Sequence, residues 1–284
     1  MRILLLGGTG YIGSYCERMV APRGFSILAP PRQRLDLLDH KSVSLFFGEE
    51  QPFDSVIYLS TINKNQCTSR EVAWKNVTMT ENLLSNLKHD GNLIFTSSVD
   101  VYGLSPTLPL NEETPLNPES WYAESKVACE QLIGSSLTQG ASRHVVLRLP
   151  GVYGNVTAGS AILDQMAAWN AGSRNGFKLT NPAVLRDWVL VQDFYRFVLE
   201  LHKTVSYKHS AVNFATGESL SMIEWLSLLN HSVFKRGGKS PNIPTQTATQ
   251  DSFDLVFDVS LFSSIYPHFS FTPRHQAVGC YLDT

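Results

Sequence analysis

The hydrophobic positions of this chain form short apolar runs, which are separated by longer segments with a helical period. The apolar runs predict strands at residues 2–6, 25–29, 54–59, 92–96 and 144–149. The segments between them predict helices at residues 11–20, 69–88 and 120–137. Because strands and helices alternate in this order, we predict an α/β fold with a Rossmann-type, doubly wound parallel sheet.

After Pro150 the pattern is weaker, and it predicts a small C-terminal α/β lobe. Further elements are predicted as helices at residues 161–171, 192–202 and 219–230, a strand at 187–191 and an exposed loop at 235–251. We therefore predict two domains. A dinucleotide-binding Rossmann domain takes residues 1–150 with about 187–212, and a substrate-binding lobe takes about 151–186 and 213–284.

Composition narrows the class of protein. Hydrophobic residues make up 43% and charged residues 17% of the 284 positions, which is typical of a folded chain. The net charge is -2 and no basic stripe occurs, which argues against a nucleic-acid partner. Apolar runs stay below roughly 18 residues, so no membrane span is expected, and the short apolar N-terminus predicts a cytoplasmic protein without a signal peptide. The spacing of the four cysteines matches no metal site, and no metal is expected.

The first predicted strand ends in a glycine-rich turn. Gly7, Gly10 and Gly13 are spaced three residues apart, and a predicted helix follows directly. Such a turn lets backbone N–H groups and the helix N-terminus approach a pyrophosphate, whereas side chains at these positions would block it. The context, directly after a strand and before a helix, predicts that the turn binds a dinucleotide.

The residues after the second predicted strand bear on which dinucleotide is bound. NAD-binding folds usually place an acid there, about 20 residues after the glycine turn, to hold the ribose hydroxyls. Residues 29–34 (APPRQR) contain no acid and two arginines, Arg32 and Arg34. Because the guanidinium fork suits the 2′-phosphate of NADP, NADP(H) is favoured, and NAD(H) stays open as the alternative.

Three polar residues predict catalytic chemistry. Tyr122 and Lys126 lie four residues apart on a predicted helix, so their side chains share one face. We expect the ammonium to stabilise the phenolate and lower the pKa of Tyr122, which would then exchange a proton with a carbonyl or an alcohol near neutral pH. Ser98 follows the predicted strand 92–96, at the carboxyl end where open α/β sheets bind ligands, and its hydroxyl can polarise a reacting oxygen.

The glycine turn, the segment SSVDVYG at residues 97–103 and the segment YAESK at 122–126, in this order, resemble the extended short-chain dehydrogenase/reductase superfamily. Within it, the pattern is similar to the NAD-dependent epimerase/dehydratase enzymes that modify nucleotide sugars, from Met1 to the region of His202. The segment LDLLDHKSVSLFF is most similar to GDP-fucose synthase and dTDP-4-dehydrorhamnose reductase, both NADPH enzymes. The resemblance implies a nucleotide-sugar substrate, a role in polysaccharide biosynthesis and a homodimer.

The resemblance also implies roles for individual residues. Tyr122 would be the acid/base, Lys126 would hold the nicotinamide ribose, and Ser98 would polarise the substrate oxygen. Arg186, in the segment RDWV, would bind the nucleotide diphosphate, and Asp100 and Ser98 would face the sugar. The residues implied at the cofactor are Gly7, Gly10, Tyr11, Ile12, Gly13, Arg32, Arg34, Asp36, Leu37, Leu59, Ser60, Thr61 and Asn76, together with Tyr122 and Lys126.

Two of these implied positions have more specific roles, and several departures from the family pattern leave the substrate open. Asp36 would contact adenine, and Asn76 would brace the active site. Asp100 either contacts the sugar or only caps a turn, and Val99 breaks the acid pair of the dehydratases. Gly151 stands where epimerases commonly carry Asn, and the segment YGNV supplies no histidine of the GDP-fucose synthase type.

These observations favour one function over three others. The favoured function is a reductase that passes hydride from NADPH to a nucleotide-linked 4-keto sugar while Tyr122 protonates the oxygen. An epimerase of the UDP-galactose 4-epimerase type is the main alternative, although it normally uses the acid that residues 29–34 lack. A catalytically inactive sensor or scaffold would typically have lost Tyr122 or Lys126, and a reductase of small aldehydes or ketones would not need Arg186.

Overall fold

A computed structural model gives the arrangement of most of the chain. It describes residues 1–19, 21–87, 91–104, 106–137, 143–154, 179–201, 211–235, 245–246 and 253–282. The helix predicted at residues 161–171 lies outside this set, as does most of the loop predicted at 235–251.

Strands and helices alternate through the first half of the chain. The elements are β1 (Arg2–Leu6), α1 (Tyr11–Arg18), β2 (Ser26–Leu28), α2 (His40–Glu49), β3 (Ser55–Tyr58), α3 (Arg70–Asn86), β4 (Asn92–Ser98), a 3₁₀ turn (Val99–Tyr102), α4 (Trp121–Leu137) and β5 (Arg143–Leu149). The second half has shorter strands, namely β6 (Gly151–Tyr153), β7 (Leu179–Thr180), β8 (Leu185–Arg186), β9 (Trp188–Leu190), β10 (Ala211–Asn213), β11 (Leu220–Ser221) and β12 (Thr245–Gln246). Its described helices are α5 (Val191–Glu200), α6 (Met222–Lys235), α7 (Ser260–Ile265) and α8 (Arg274–Leu282).

Six strands form one sheet, in the order β10-β5-β4-β3-β1-β2. Strand β1 pairs in parallel with both β2 and β3, and β3 pairs in parallel with β4. All four residues of β3 are buried, as expected for a parallel strand that is covered on both faces. The architecture confirms the predicted Rossmann-type α/β fold, and the parallel strands bring the carboxyl ends of β1, β3 and β4 to one edge.

Helices α3 and α4 pack along each other beside this sheet. Helix α3 buries Ala73, Asn76, Val77 and Thr80, whose spacing of three and four residues places them on one face. Helix α4 buries Ala123, Lys126, Cys129 and Ile133 with the same spacing. Polar residues on these buried faces, such as Asn76 and Lys126, therefore point away from solvent and need partners inside the protein.

Some elements differ from the prediction. Helix α2 lies where no helix is predicted, and its N-cap is Asp39, whose side chain accepts a hydrogen bond from the Lys41 N–H. Strand β10 is also unpredicted. The predicted strand 187–191 is shortened to β9 (Trp188–Leu190), and the helix predicted at 219–230 begins and ends later, as α6.

The chain divides into two compact units. The first comprises Met1–Gly103, Pro115–Arg148 and Arg196–Val212, and the second comprises Leu104–Thr114, Leu149–Tyr195 and Asn213–Thr284. The second unit has its own aromatic core, in which Trp225 lies between Tyr153 and Trp188 at ring-centroid distances of 5.6 and 5.5 Å. The assignment of a cofactor domain and a substrate lobe to these parts of the chain stays a prediction. Among the described helices, none is both long and apolar enough to cross a membrane.

Candidate active site

The glycine turn after β1 has a shape that only glycine allows. Gly7 has a φ of +94°, and a Cβ atom there would lie 2.7 Å from the Ser60 nitrogen. A Cβ atom on Gly13 would lie 2.1 Å from the Gly7 carbonyl oxygen. The turn is therefore packed directly against the residues that follow β3, and Leu59 donates its N–H to the Leu6 carbonyl at 2.9 Å. The structure thus brings the predicted residues of the two strand ends together.

Helix α1 begins immediately after this turn. Gly10 is its N-cap and has no side chain to cap the helix, so Tyr11 and Ile12 start the helix with backbone N–H groups only. The Gly10 N–H bonds to the Gly7 carbonyl at 3.0 Å, which closes the turn. A helix N-terminus of this kind carries partial positive charge and suits a pyrophosphate, so the cradle fits a dinucleotide.

The end of β2 lies beside the same turn. A Cβ atom on Gly8 would lie 2.9 Å from the Ala29 methyl group, so Ala29 stands at the place where an NAD-binding acid is expected. The first predicted arginine, Arg32, pairs with Asp36 at 3.1 Å and is largely exposed. The Asp36 carboxylate also accepts the Leu38 N–H at 3.0 Å, which orders the segment before α2.

The second predicted arginine, Arg34, forms an ion pair with Glu50 and lies over the Phe46 ring at 5.6 Å. Glu50 also pairs with Arg2, so this carboxylate is shared between two guanidinium groups. Leu37, next to Asp36, is buried and accepts a hydrogen bond from Asn82 through its carbonyl. Each arginine is thus held by a carboxylate of the chain, and the Arg34 guanidinium shares Glu50 with Arg2, at the end of β1 away from the glycine turn.

Asn76 joins the loop after β3 to helix α4. Its side-chain oxygen accepts the Ile62 N–H at 2.7 Å, and its nitrogen donates to the Ile62 carbonyl at 3.2 Å. The same nitrogen donates to the Ser125 hydroxyl at 3.2 Å, and Ser125 donates to the Tyr122 carbonyl at 2.8 Å. Thr61 lies in the same loop and donates to the Ile62 carbonyl. Asn76 therefore fixes the distance between this loop and the residues that carry the predicted chemistry.

The predicted trio meets at the carboxyl end of β4. Ser98 ends this strand, and its hydroxyl acts on the Tyr122 phenol, whose pKa it lowers. The Lys126 ammonium is buried, donates to the Thr96 carbonyl at 2.9 Å and lies 5.8 Å from the centre of the Tyr122 ring. The spacing of four residues on α4 indeed places Tyr122 and Lys126 on one face, turned toward β4.

The acidity of these groups departs from the expectation. Burial raises the pKa of Tyr122, the charge of Asp100 raises it further, and the hydrogen bond with Ser98 lowers it. Burial lowers the pKa of Lys126 to about 8, against the opposing effects of Cys129, Glu130 and Cys67. The expected lowering of the Tyr122 pKa by Lys126 is therefore wrong for this structure, because the loss of solvation dominates and Lys126 is not among the groups that shift this pKa.

Asp100 takes a partner that the sequence does not indicate. Its carboxylate lies 3.1 Å from the Lys64 ammonium, which belongs to the loop after β3. The turn at this point is capped by Ser98, whose hydroxyl accepts the Asp100 N–H at 3.2 Å. Of the two roles considered for Asp100, turn capping thus falls to Ser98, and the carboxylate acts on Tyr122 through its charge.

A buried ion pair between Arg148 and Glu130 lies on the elements that carry Ser98, Tyr122 and Lys126. Arg148, at the end of β5, pairs with Glu130 on α4 at 2.7 Å, and both side chains are less than a tenth exposed. Arg148 also donates to the Tyr102 hydroxyl at 3.0 Å, and Ser97 donates to Glu130. The pair therefore ties β4, α4 and β5 together one turn beyond Lys126.

Arg186, the predicted diphosphate ligand, lies in the second unit. It donates to the carbonyls of Leu185 and Phe253, and its guanidinium lies over the Phe253 ring at 5.6 Å. The next residue, Asp187, is fully buried and accepts hydrogen bonds from Thr216 and the Gly217 N–H at 2.7 and 2.8 Å. Burial raises the pKa of Asp187. Because its hydrogen bonds go to Thr216 and Gly217, this carboxylate stabilises the interior of the second unit.

The comparison with protein families decides the classification of the chain. The model of the NAD dependent epimerase/dehydratase family matches residues 3–215. The chain belongs to this family. Its membership agrees with the glycine turn, the strand order and the trio, all of which lie within the matched residues or are built from them.

Individual relatives in this family are distant. A UDP-glucose 4-epimerase of Lactobacillus helveticus is 29% identical over 181 residues, which cover 56% of this chain and 54% of that protein. The chain thus matches little more than half the length of that relative. A UDP-glucose 4-epimerase of Corynebacterium glutamicum is 21% identical and is matched over 97% of this chain and 92% of that protein.

Solved structures share the fold over nearly the whole chain. RMD from Pseudomonas aeruginosa, solved with NADPH, has a TM-score of 0.82 at 22% identity, covering 99% of this chain and 97% of that one. A UDP-glucose 4-epimerase from Thermotoga maritima, solved with UDP-glucose, has a TM-score of 0.82 at 18% identity, covering 100% and 98%. A GDP-L-fucose synthetase from Naegleria fowleri has a TM-score of 0.81 at 19% identity, covering 99% and 92%. These likenesses show the fold.

Gly151, which departs from the family pattern, has a packing reason in this structure. Gly151 in β6 stands opposite Trp188 in β9, and the two strands pair in parallel. A Cβ atom on Gly151 would lie 2.0 Å from the Trp188 ring, so the indole fills the space that a side chain would need. Where epimerases commonly carry asparagine, this chain therefore has glycine, and the Trp188 ring occupies the space of the missing side chain.

Two features of the site escape sequence reasoning. Lys64 lies in a polar loop, where lysine is common, and only the fold brings it to Asp100. The Glu130–Arg148 pair had a weak signal, because Glu130 continues the face of Tyr122 and Lys126 after four more residues. The described residues also contain no group of three or more His, Cys, Asp or Glu side chains placed to hold a metal ion.

Proposed function

We propose that this protein is an NADP(H)-dependent reductase of a nucleotide-linked 4-keto sugar, with Tyr122 as the proton donor. The observation that carries the proposal is the convergence of Ser98, Tyr122 and a buried Lys126 at the carboxyl end of β4. A phenol and a hydroxyl placed at the same strand end can both bind one carbonyl oxygen, and the phenol can then give it a proton. The raised pKa of Tyr122 keeps the phenol in the protonated form that a donor must have.

The residues of the first unit have separate tasks in this proposal. The turn of Gly7, Gly10 and Gly13 and the start of α1 would hold the pyrophosphate of the cofactor. Lys126 would bind the nicotinamide ribose from its place between Thr96 and the Tyr122 ring. The bound nicotinamide cofactor would supply the hydride. Ser98 would orient the keto oxygen, and Tyr122 would protonate it.

The surroundings of β2 favour NADP(H) over NAD(H) in this proposal. Ala29 offers no carboxylate to the ribose hydroxyls beside the glycine turn. Arg32 and Arg34 follow within five residues, and each is paired with a carboxylate of the chain. A 2′-phosphate would take the place of Asp36 or Glu50 as the partner of these guanidinium groups, which is an exchange of one anion for another.

The substrate half of the proposal rests on Arg186 and Asp100. Arg186 would bind the nucleotide diphosphate, and its contacts with two carbonyls hold the guanidinium in a fixed orientation. Asp100 would face the sugar beside Tyr122. Assembly as a homodimer stays a prediction from the family resemblance.

A second candidate is an epimerase of the UDP-glucose 4-epimerase kind. The names of the curated relatives from Lactobacillus helveticus and Corynebacterium glutamicum favour it. The absence of an acid in residues 29–34 and the glycine at position 151 speak for the reductase instead. The two candidates use the same trio. In the reductase NADPH is oxidised and released as NADP⁺, whereas in the epimerase the bound NAD returns to its starting redox state in each turnover.

The proposal is tested by mixing purified protein with NADPH and the 4-keto-6-deoxy sugars linked to UDP, GDP or dTDP. We expect nicotinamide absorbance to fall with at least one of these donors. The Tyr122→Phe variant should lose roughly a hundredfold or more in turnover while it still binds NADPH. Turnover that survives Tyr122→Phe would contradict the proposed chemistry. Interconversion of UDP-glucose and UDP-galactose with tightly bound NAD would identify the epimerase.

A further inference from the structure

A ring of buried side chains closes around the segment that carries Ser98. Directly before Ser98, the Ser97 hydroxyl donates a hydrogen bond to Glu130 on α4 at 2.5 Å. At the other end of the segment, the Tyr102 hydroxyl accepts a hydrogen bond from Arg148 on β5 at 3.0 Å. Glu130 and Arg148 are joined by their ion pair, so the two ends of the segment are tied to each other through side chains. These four residues form a clamp on the segment.

The Arg148 guanidinium divides its donors between the two ends. Its Nε and Nη2 atoms donate to the Glu130 carboxylate at 3.2 and 2.7 Å, and its Nη1 atom donates to the Tyr102 hydroxyl. Because the guanidinium is planar and its donors have a fixed spacing, the position of Glu130 sets the position of Tyr102. A buried ion pair often adds little net stability compared with apolar side chains of the same size. The arrangement is therefore explained better by the segment that it holds than by a gain in stability.

Ser98 has little freedom between the two held ends. It is the last residue of β4, and successive side chains of a strand point to opposite sides, so the direction of the Ser97 side chain sets that of Ser98. The 3₁₀ turn begins directly after Ser98 and ends at Tyr102. The Ser98 hydroxyl also accepts the Asp100 N–H at 3.2 Å. A release of either end would let this hydroxyl move.

Helix α4 brings the clamp and the predicted catalytic residues to the same strand end. Tyr122, Lys126 and Glu130 follow one another at a spacing of four residues, so they share one face of the helix. Lys126 donates to the Thr96 carbonyl at 2.9 Å, and the next residue of the strand, Ser97, donates to Glu130. Consecutive residues of β4 are thus bound by consecutive turns of α4, and the clamp supplies the contact next to the predicted catalytic serine.

We propose that this clamp is a positioning device of the active site, which fixes the Ser98 hydroxyl where the keto oxygen is bound. The inference rests on the proposed function, in which Ser98 orients this oxygen. The hydroxyls of Ser97 and Tyr102 are bonded to the ion pair, so they act on the reaction through the place that they give to Ser98.

Two substitutions open the clamp and leave its ion pair in place. Ser97→Ala and Tyr102→Phe each remove one hydroxyl from a buried side chain and add no heavy atom. Each should lower kcat for NADPH-dependent reduction about tenfold, because a displaced Ser98 hydroxyl orients the keto oxygen less well. The dissociation constant of NADPH should not change, since the glycine turn that would hold the cofactor is not part of the clamp.

The same changes in a Ser98→Ala background separate positioning from a general structural role. A clamp that acts through Ser98 has no hydroxyl left to position there, so Ser97→Ala and Tyr102→Phe should no longer lower the residual single-turnover rate. The control is Tyr58→Phe, which removes another buried phenol hydroxyl, bonded to Thr80 at 3.2 Å, and should leave the rate unchanged in both backgrounds. Equal losses with and without the Ser98 hydroxyl would overturn the inference, and so would full activity of both clamp variants.

A second readout needs no turnover and separates the inference from the proposed function. Amide hydrogen exchange is followed by NMR at Asp100, Gly103 and Asn117, whose N–H groups bond to the Ser98 hydroxyl or to carbonyls of the turn. Both clamp variants should speed exchange at these amides about fivefold or more, whereas Tyr58→Phe should not. Faster exchange in a protein that reduces no sugar nucleotide would retain the clamp around Ser98 and reject the function. Exchange that stays unchanged in both clamp variants would reject the clamp whatever the activity.

Discussion

At the scale of single residues, Glu50 is the carboxylate that holds Arg34, one of the two arginines proposed to bind the 2′-phosphate of NADP(H). Its carboxylate holds both Arg34 and Arg2. Glu50→Gln should release Arg34 and strengthen NADPH binding about three- to tenfold, which corresponds to about 1 kcal/mol, with little effect on NADH. The dissociation constants of both cofactors are measured by fluorescence titration.

The control for this change is Glu49→Gln, which removes the same charge from the exposed neighbouring position on α2. It should leave both affinities unchanged. Arg34→Ala and Arg32→Ala should weaken NADPH more than NADH. Equal effects of Glu49→Gln and Glu50→Gln would show that general charge, and not the partner of Arg34, governs the cofactor preference.

Lys126 is expected to make the stability of the fold depend on pH. Burial lowers its pKa from 10.5 to about 8 in the folded protein. Below the pKa of the folded protein, Lys126 is protonated in both the folded and the unfolded state, so burial of its charge lowers the free energy of unfolding by its full amount. Between about pH 8 and 10.5 the unfolded chain binds more protons, so the free energy of unfolding rises with pH, in total by about 3 kcal/mol.

The measurement is urea unfolding of the protein and of Lys126→Met at pH 7 and pH 9.5. As the pH rises, the free energy of unfolding of the unaltered protein should increase relative to that of Lys126→Met. Lys75→Met, which removes an exposed lysine, supplies the background change with pH. A difference between the two proteins that stays constant over this range would contradict a lysine with a lowered pKa.

At the scale of elements, the Glu130–Arg148 pair links α4 to β5. Both side chains are nearly buried, and Arg148 reaches the Tyr102 hydroxyl as well. Arg148→Met should lower the free energy of unfolding by about 3 to 5 kcal/mol, because it leaves a buried carboxylate without its partner. Arg148→Met combined with Glu130→Leu should recover most of this loss. A double variant as unstable as the single one would show that the charge of Glu130 is not the cause.

The elements also show what the sequence can predict. The glycine turn, strands β1 and β3 and helices α3 and α4 follow from local patterns of apolar residues, and the structure confirms them. Helix α2 was missed although Asp39 caps it and Val43, Phe46 and Phe47 repeat at helical spacing. The polar residues His40 to Ser42 at its start and its short length masked that period.

At the scale of the whole molecule, the second unit is the part that the sequence specifies least directly. Its contacts join distant segments, since the Leu185 N–H bonds to Asp254 and the Thr272 N–H bonds to Asp193, 69 and 79 residues apart. Strands of two or three residues carry no readable period. Lys64 escaped prediction for the same reason, because its meeting with Asp100 depends on the pairing of β3 with β4.

The family membership agrees with the fold and with the converging trio. The central claim is that the protein transfers hydride from NADPH to a 4-keto sugar. The most direct test is the transfer of deuterium from NADPH labelled at the nicotinamide C4 position to a 4-keto sugar nucleotide. Mass spectrometry of the sugar product should show one deuterium bound to carbon, absent when Tyr122→Phe replaces the unaltered protein. A product without deuterium, formed together with interconversion of UDP-glucose and UDP-galactose on retained NAD, would contradict the reductase.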